Sequence, residues 1–348
     1  MDTVMQKTSA GTVALLALGL VAVGLAPLAI DTFQLLAFTV YLVMAMLALS
    51  LAFVWGFGGI LCFGQAAFFG LGAYAYAVSA INFGPGVAAV ALSIAVPGLV
   101  AALLGYFMFY GRISDVYLGV ITLAVTLILF NLVNSTSGPE YRIGEALLGG
   151  FNGIPSVPTF TLPWQDQPLE PEGIFRLVGV LLVVVYAALK WLLRSRFGQV
   201  VVGIRENERR AELLGFDVRR YKLAVFALGG AVAGLAGCLY ANWGAFVNPG
   251  VFGLAQSAQI IIWVIVGGRG TLFGPMLGCI AIQWMVTALG GQQTLDTGLV
   301  LGVVLTAFVM LMPRGLAPTL QDLIGRGLRR PASHGGGAGA AAQLEVRP

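Results

Sequence analysis

Charge is what this chain has least of: its 348 residues carry 19 Lys and Arg against 15 Asp and Glu. A soluble domain of that length needs far more polar surface to cover its core, which excludes the ordinary globular class. Histidine is nearly absent. The single one, His334, sits in the low-complexity stretch PASHGGGAGAAAQLEVRP, so the apolar segments have no histidine for a proton relay, a metal site or a catalytic base. Cysteine is limited to Cys62, Cys238 and Cys279, each inside an apolar run without CxxC spacing or acidic neighbours. They read as small buried hydrophobes rather than metal ligands.

The apolar runs also lack Lys, Arg, Asp and Glu away from their ends, with Asp115 and Asp296 at boundaries. Proton-coupled carriers keep such groups near the bilayer midplane, so uphill transport by this chain would need energy from elsewhere. With neither a Ser/His pair nor a His and carboxylate cluster, no catalytic or metal-binding residue is assigned, and the chain does not read as an enzyme. The glycines of Gly267–Gly270 form no phosphate-binding loop, because the lysine and serine of that motif are missing.

What is present in excess is apolar sequence: 58% of the residues, with a mean hydropathy of +0.91. This predicts an all-α integral membrane protein with ten spans, at 11–30, 33–54, 60–81, 88–110, 115–134, 174–193, 222–246, 252–267, 271–290 and 294–312. The first could serve as a signal peptide, but its length of about 20 residues favours a retained span. The third is interrupted by Gly64, Gly70 and Gly72, follows Gly56, Gly58 and Gly59, and the eighth is short. Either is expected to be bent or re-entrant.

The basic residues set orientation. Lys190, Arg194, Arg196, Arg205, Arg209, Arg210, Arg219, Arg220 and Lys222 crowd one loop, which places it in the cytoplasm, whereas the Pro-rich loop 135–173 holds only Arg142 and belongs outside. Counting outward puts both termini inside. The pI of 9.1 is therefore topological rather than a sign of nucleic-acid binding. The expected organisation is a cytoplasmic N-terminus at 1–10, a permease domain at 11–318 with a cytoplasmic loop at 194–221 and an external loop at 135–173, and a cytoplasmic, partly disordered tail at 319–348.

Neutral polar groups inside the spans have two readings, interhelical hydrogen bonds or a path for an uncharged or zwitterionic solute. The segment WGFGGILCFGQAAFFGLGAYAYA, Trp55 to Ala77, is the place to look for such a path, since its glycines let a helix break as helices do at transport sites. The candidate path residues are Phe63, Gly64, Gln65, Thr122, Thr126 and Asn131. GGRGTLFGPMLG, from Gly267, echoes the first stretch as a weak internal repeat. In the charged loop, Gln199 to Leu214 reads as one amphipathic helix with Ile204, Ala211 and Leu214 on its apolar edge, Glu206–Arg210 and Arg209–Glu212 pairs, and Gly215 as its stop. An interfacial helix on lipid is the alternative, but its mixed charge suits a protein partner better.

The stretch GQVVVGIRENERRAELLGFDVRRYKLAVFALGGAVAGLAG, from Gly198 to Gly237, resembles the cytoplasmic loop and following span of branched-chain amino acid ABC transporter permeases of the LivM type. LSLAFVWGFGGILCFGQAAFFGLGAYA, YLGVITLAVTLILFNLVN, FNGIP, GGRGTLFGPMLG and LMPRGL extend the resemblance over nearly the whole chain. It implies the ABC importer permease fold in a bacterial plasma (inner) membrane, with a second, homologous permease subunit, two cytoplasmic ATPases that bind the ATP, and a periplasmic or extracellular solute-binding protein. The chain itself is expected to need no cofactor. Carried over residue by residue, Arg205, Glu206, Asn207, Glu208, Ala211, Leu214 and Gly215 would form the coupling helix that docks on the ATPase. Gln65 stands where many relatives have histidine, and IIWVIVGGRGTL is also similar to the urea-transporting branch. Urea or a short amide is thus the alternative solute, and a passive small-solute channel a further alternative class.

Overall fold

The computed structural model describes residues 2–161 and 169–290, together with Gly302 and Gly315. Apart from Gly302 and Gly315, the expected tenth span at 294–312, Asp296, the LMPRGL motif and the tail with His334 lie outside the described residues.

Helices follow the apolar runs closely. They are α1 (Asp2–Ala29), α2 (Thr32–Leu51), α3 (Gln65–Phe83), α4 (Val87–Tyr110), α5 (Asp115–Asn134), α6 (Pro171–Arg194), α7 (Arg196–Glu206), α8 (Glu208–Leu213), α9 (Val218–Gly244), α10 (Leu254–Gly267) and α11 (Phe273–Gly290). Among the described residues six are long and apolar enough to cross a bilayer: Thr32–Phe57, Gln65–Phe83, Val87–Tyr110, Val116–Asn134, Pro171–Arg194 and Val218–Gly244. The apolar segments Leu16–Ala29, Leu254–Gly267 and Phe273–Ala288 are shorter. At 1.5 Å per residue the 14 residues of α10 span about 21 Å, less than the ~30 Å of hydrocarbon.

The third span departs from expectation at its start. Residues 60–64 are not helical, and α3 begins only at Gln65. Before it, α2 runs into a π-helical turn, Ala52–Phe57, and the chain then crosses Gly58–Gly64 irregularly.

α2 and the π-turn that follows it are the most buried stretch described, with Val43 and Ala45 through Val54 sealed from solvent and Met44 nearly so. α6, α9 and α11 pack on α2, and α3, α4 and α9 pack on one another through small residues. A Cβ on Gly72 would run into the backbone of Gly234, and one on Gly237 into the Phe69 carbonyl. Gly234 also lies on Pro97 and the Ser93 carbonyl of α4, a carbonyl that loses its helical donor because Pro97 has no N–H. Membrane helices have little hydrophobic drive to associate, so this close backbone approach supplies dispersion contact that larger side chains would prevent. α4 and α5 are peripheral and expose Leu99, Leu103, Phe107, Val120, Ile128 and Leu132.

At the far end of α3 and α9, the segment after α5 is pinned rather than loose. A two-stranded antiparallel ribbon, β1 (Arg142–Ile143) with β2 (Ala146–Leu147), precedes a 3-10 turn, and Ile154 pairs with Val247. Buried Asn242 accepts from the Tyr76 hydroxyl (3.0 Å) and the Phe160 amide (2.8 Å) while donating to the Cys238 carbonyl (2.9 Å). Asn82 donates to the Ile143 carbonyl and accepts from the Glu145 amide, both at 2.8 Å.

The glycine seam generates a prediction. Gly72→Val and Gly237→Val should each destabilise the bundle by about 1–3 kcal/mol through overpacking, whereas Gly203→Ala, with open space at its Cβ, should be neutral or better. Thermal unfolding of the detergent-purified protein, followed by size exclusion, checks the order.

Candidate functional site

Irregular backbone inside an apolar bundle must find polar partners within the protein, because no water or helical neighbour satisfies it. The break at Gly58–Gly64 meets that demand in two directions. Toward α5, the Phe63 amide donates to Thr122 Oγ1 (3.1 Å), and the Thr122 hydroxyl donates to the Gly119 carbonyl (2.9 Å). Gly64 lies against the Thr122 backbone so closely that a Cβ would strike its carbonyl. Toward α2 and α9, Gln65 Nε2 donates to Ser50 Oγ (2.8 Å) and to the Gly229 carbonyl (3.2 Å), and Ser50 in turn donates to the Leu47 carbonyl (2.6 Å).

Gln65 is 1% exposed, yet its Oε1 has no hydrogen-bond partner among the described residues. A buried amide oxygen without a donor is costly, and such an atom calls for an explanation. It is an acceptor at the break, held in place by the two bonds its amide nitrogen makes.

Of the six candidate path residues, the structure brings Phe63, Gly64, Gln65 and Thr122 together. Thr126 lies one turn along α5, fully buried, with its hydroxyl on the Thr122 carbonyl (2.9 Å). Asn131 does not join them; it is exposed further along α5 and donates back to the Leu127 carbonyl (2.9 Å).

The charged loop differs from the single helix expected for Gln199 to Leu214. It forms two helices, α7 and α8, broken at Asn207, whose backbone is extended (φ −158°, ψ 98°) and whose side chain accepts from the Arg210 amide (2.9 Å). Asparagine competes with the helix for backbone donors and makes a good N-cap, so the REN sequence ends one helix and starts the next. The break re-phases the side chains of α8. Ile204 and Ala211 are buried in a small cluster with Val218, but Leu214 is 71% exposed and Leu213 85%.

The anticipated charge pairs are replaced for the same reason. Glu206 pairs with neighbouring Arg205, and Glu208 reaches Lys222 on α9 (2.6 Å). Gly215 does end the helix, at φ +88°, with the Gly215 amide on the Glu212 carbonyl and the Phe216 amide on the Ala211 carbonyl, the two bonds of a Schellman motif. Exposed Leu214 and Phe216 border a groove lined also by Val200, Gly203, Asn207 and Arg210.

The loop and the break are in contact. Arg205 Nη1 donates to the carbonyl of Gly56 at the end of the π-turn, and the Arg205 stem packs on Gly59, which sits at φ +72°. Sequence reasoning placed Arg205 on the loop and Gly59 in the membrane segment without joining them. A separation of 149 residues leaves no local signal of the contact.

Loss of the Asn207 cap should weaken α8 selectively. In Asn207→Ala the α8 helix is expected to lose about 1 kcal/mol, so its amides should exchange roughly fivefold faster while those of α9 stay unchanged. Hydrogen exchange resolved by segment reads this directly.

Comparison with known proteins places residues 33–312 within the family described as the branched-chain amino acid transport system, permease component. The chain is 29% identical to the high-affinity branched-chain amino acid transport system permease protein LivM of Escherichia coli (strain K12), over 80% of this chain and 69% of that protein. It is 26% identical to a probable branched-chain amino acid transport permease protein LivM of Methanocaldococcus jannaschii, over 64% of this chain and 65% of that one. The fructose import permease protein FruG of Bifidobacterium longum is 30% identical over 42% and 46% respectively. No solved structure matches the chain.

Proposed function

The chain belongs to the branched-chain amino acid transport system permease family, and we propose that it is the membrane subunit of an ATP-driven importer for branched-chain, hydrophobic amino acids. A permease component of this family is a transport subunit and not an enzyme. The observation that carries the choice of solute is the extent of likeness to the Escherichia coli permease, 80% of this chain, against 42% for the fructose permease.

In this reading the subunit crosses the membrane ten times, including 294–312, as one permease domain over 11–318. Its charged loop at 194–221 and both termini face the cytoplasm, since the Lys and Arg excess of 190–222 favours that side. It pairs with a second, homologous permease subunit to enclose the path, receives solute from a binding protein outside, and rests on two ATPases that bind the nucleotide. The chain needs no cofactor of its own.

Coupling falls to α7, α8 and their junction. Arg205, Glu206, Asn207, Glu208, Ala211, Leu214 and Gly215 divide the work: Asn207 and Gly215 cap α8, Ala211 seats it on the loop's own cluster, Glu208 braces it to Lys222, and Leu214 offers an exposed apolar contact. The path passes the break, where Gln65 Oε1 would accept an N–H from a neutral or zwitterionic solute. Gly64 and Thr122 keep the wall at that level tight.

Uptake measurements test this. The subunit, purified in complex with the chains encoded beside it and placed in vesicles, should take up labelled leucine only with ATP. Uptake of urea or fructose instead would keep the mechanism and change the solute, and flux without ATP would overturn the importer reading. Leu214→Asp should lower uptake at least tenfold with the subunit still inserted, and unchanged uptake would remove the docking assignment. Gln65→Leu is expected to lower uptake or alter selectivity about fivefold in an assembled complex; if neither changes, Gln65 has only a packing role.

A further inference from the structure

The end of the π-turn is gripped from two sides. On one, Arg205 of α7 bonds the Gly56 carbonyl. On the other lies Arg269, in the second glycine-rich stretch, between α10 and α11. Its guanidinium stands over the Trp55 ring at 5.2 Å, and its carbonyl oxygen lies so near Gly56 that a Cβ there would collide with it. Gly268 adopts φ +102° to present Arg269 in this way. The two glycine breaks, about 200 residues apart in sequence, thus touch through Gly56 and Arg269, and the charged loop reaches the same point through Arg205.

A π-turn closes its backbone bonds one residue wider than an α-helix, as the Gly58 amide does on the Phe53 carbonyl (3.1 Å), and here it ends α2. Relaxing that turn would move the irregular segment beyond it, which leads directly to Gln65. Carbonyls at a helix C-terminus carry partial negative charge and favour cations. A guanidinium on the Gly56 carbonyl and a second over the Trp55 face therefore stabilise the π-turn against relaxation, by charge-assisted hydrogen bonding and by attraction to the ring.

We propose that Arg205 and Arg269 are positioning residues that clamp the π-turn at Gly56, and that movement of α7 reaches the solute path by shifting this clamp. The inference rests on the importer reading above and adds the mechanical route, with Arg269 and Trp55 as members outside the loop.

The test uses the complete reconstituted complex and measures, in the same vesicles, solute uptake and ATP hydrolysis. In Arg269→Gln, hydrolysis should stay within about twofold of the parent while uptake falls about tenfold, lowering solute moved per ATP. Arg269→Lys, which keeps a cation over Trp55, should recover much of that ratio. Arg205→Gln should lower it in the same way and, in the purified subunit, speed amide exchange at 56–60. A parallel loss of uptake and hydrolysis in both the glutamine and lysine variants would mean a structural role only, and an unchanged ratio in Arg269→Gln and Arg205→Gln would equally overturn the clamp. The parent complex separates the two levels: without ATP-driven uptake there, the importer reading fails and takes the clamp with it, whereas normal parent uptake with unaltered variants removes the clamp alone.

Discussion

A stretch of non-helical backbone inside an apolar bundle can persist only where the protein itself supplies polar partners, and the rest of this structure is arranged around that demand. Seven residues, Gly58 to Gly64, leave helical geometry between α2 and α3. Thr122 on α5, Ser50 on α2 and the Gly229 carbonyl on α9 are the groups that seat the break and the residue directly after it. Each comes from a different helix, so the break fixes the mutual placement of three helices while they in turn hold it open. Replacing Thr122 by a residue without a hydroxyl would leave the Phe63 amide without this partner, at a cost of about 1–3 kcal/mol.

The small-residue seam between α3, α4 and α9 serves the same end by another route. Gly72, Gly234 and Gly237 bring backbones into contact, so α3 starts from a rigid support immediately after the irregular segment. At the opposite end of α3 and α9, Asn242 and Asn82 fasten the 142–160 segment to the helix ends. Rigidity at both ends leaves the π-turn and the glycine breaks as the sites where backbone departs from the helix, and these are where the charged loop makes contact through Arg205. The proposed coupling thus acts on the part of the bundle least constrained by helical hydrogen bonds.

Family membership fits the chemistry that is present as well as the chemistry that is lacking. Spans that lack ionisable groups away from their ends offer no side chain of the kind that proton-coupled carriers keep near the midplane, and permeases of this family belong to importers that work with ATPases. The loop residues that carry the resemblance divide, in three dimensions, into caps, a brace and an exposed apolar edge. Similar sequences at Asn207 and Gly215 in other chains should therefore mark the same break and the same stop, because both arise from backbone conformation rather than from a partner.

Membrane class, the rough placing of the described helices and the glycine-rich position of the break were legible in the sequence, because twenty-residue apolar runs and glycines act through local physics. Resemblance in the 198–237 stretch also named the family that the full comparison supports. The split of the loop at Asn207 was legible in principle, since asparagine before Glu-Arg-Arg is an N-cap signal, but a continuous amphipathic pattern masked it and put Leu214 on the wrong face. Only the tertiary structure decided that Gln65 bridges Ser50 and Gly229, that Asn131 stands apart from Thr122, and that Arg205 and Arg269 converge on Gly56. Those contacts join residues far apart in the chain, and their geometry depends on helix crossings set by close-packed glycines, which no local pattern of residues encodes.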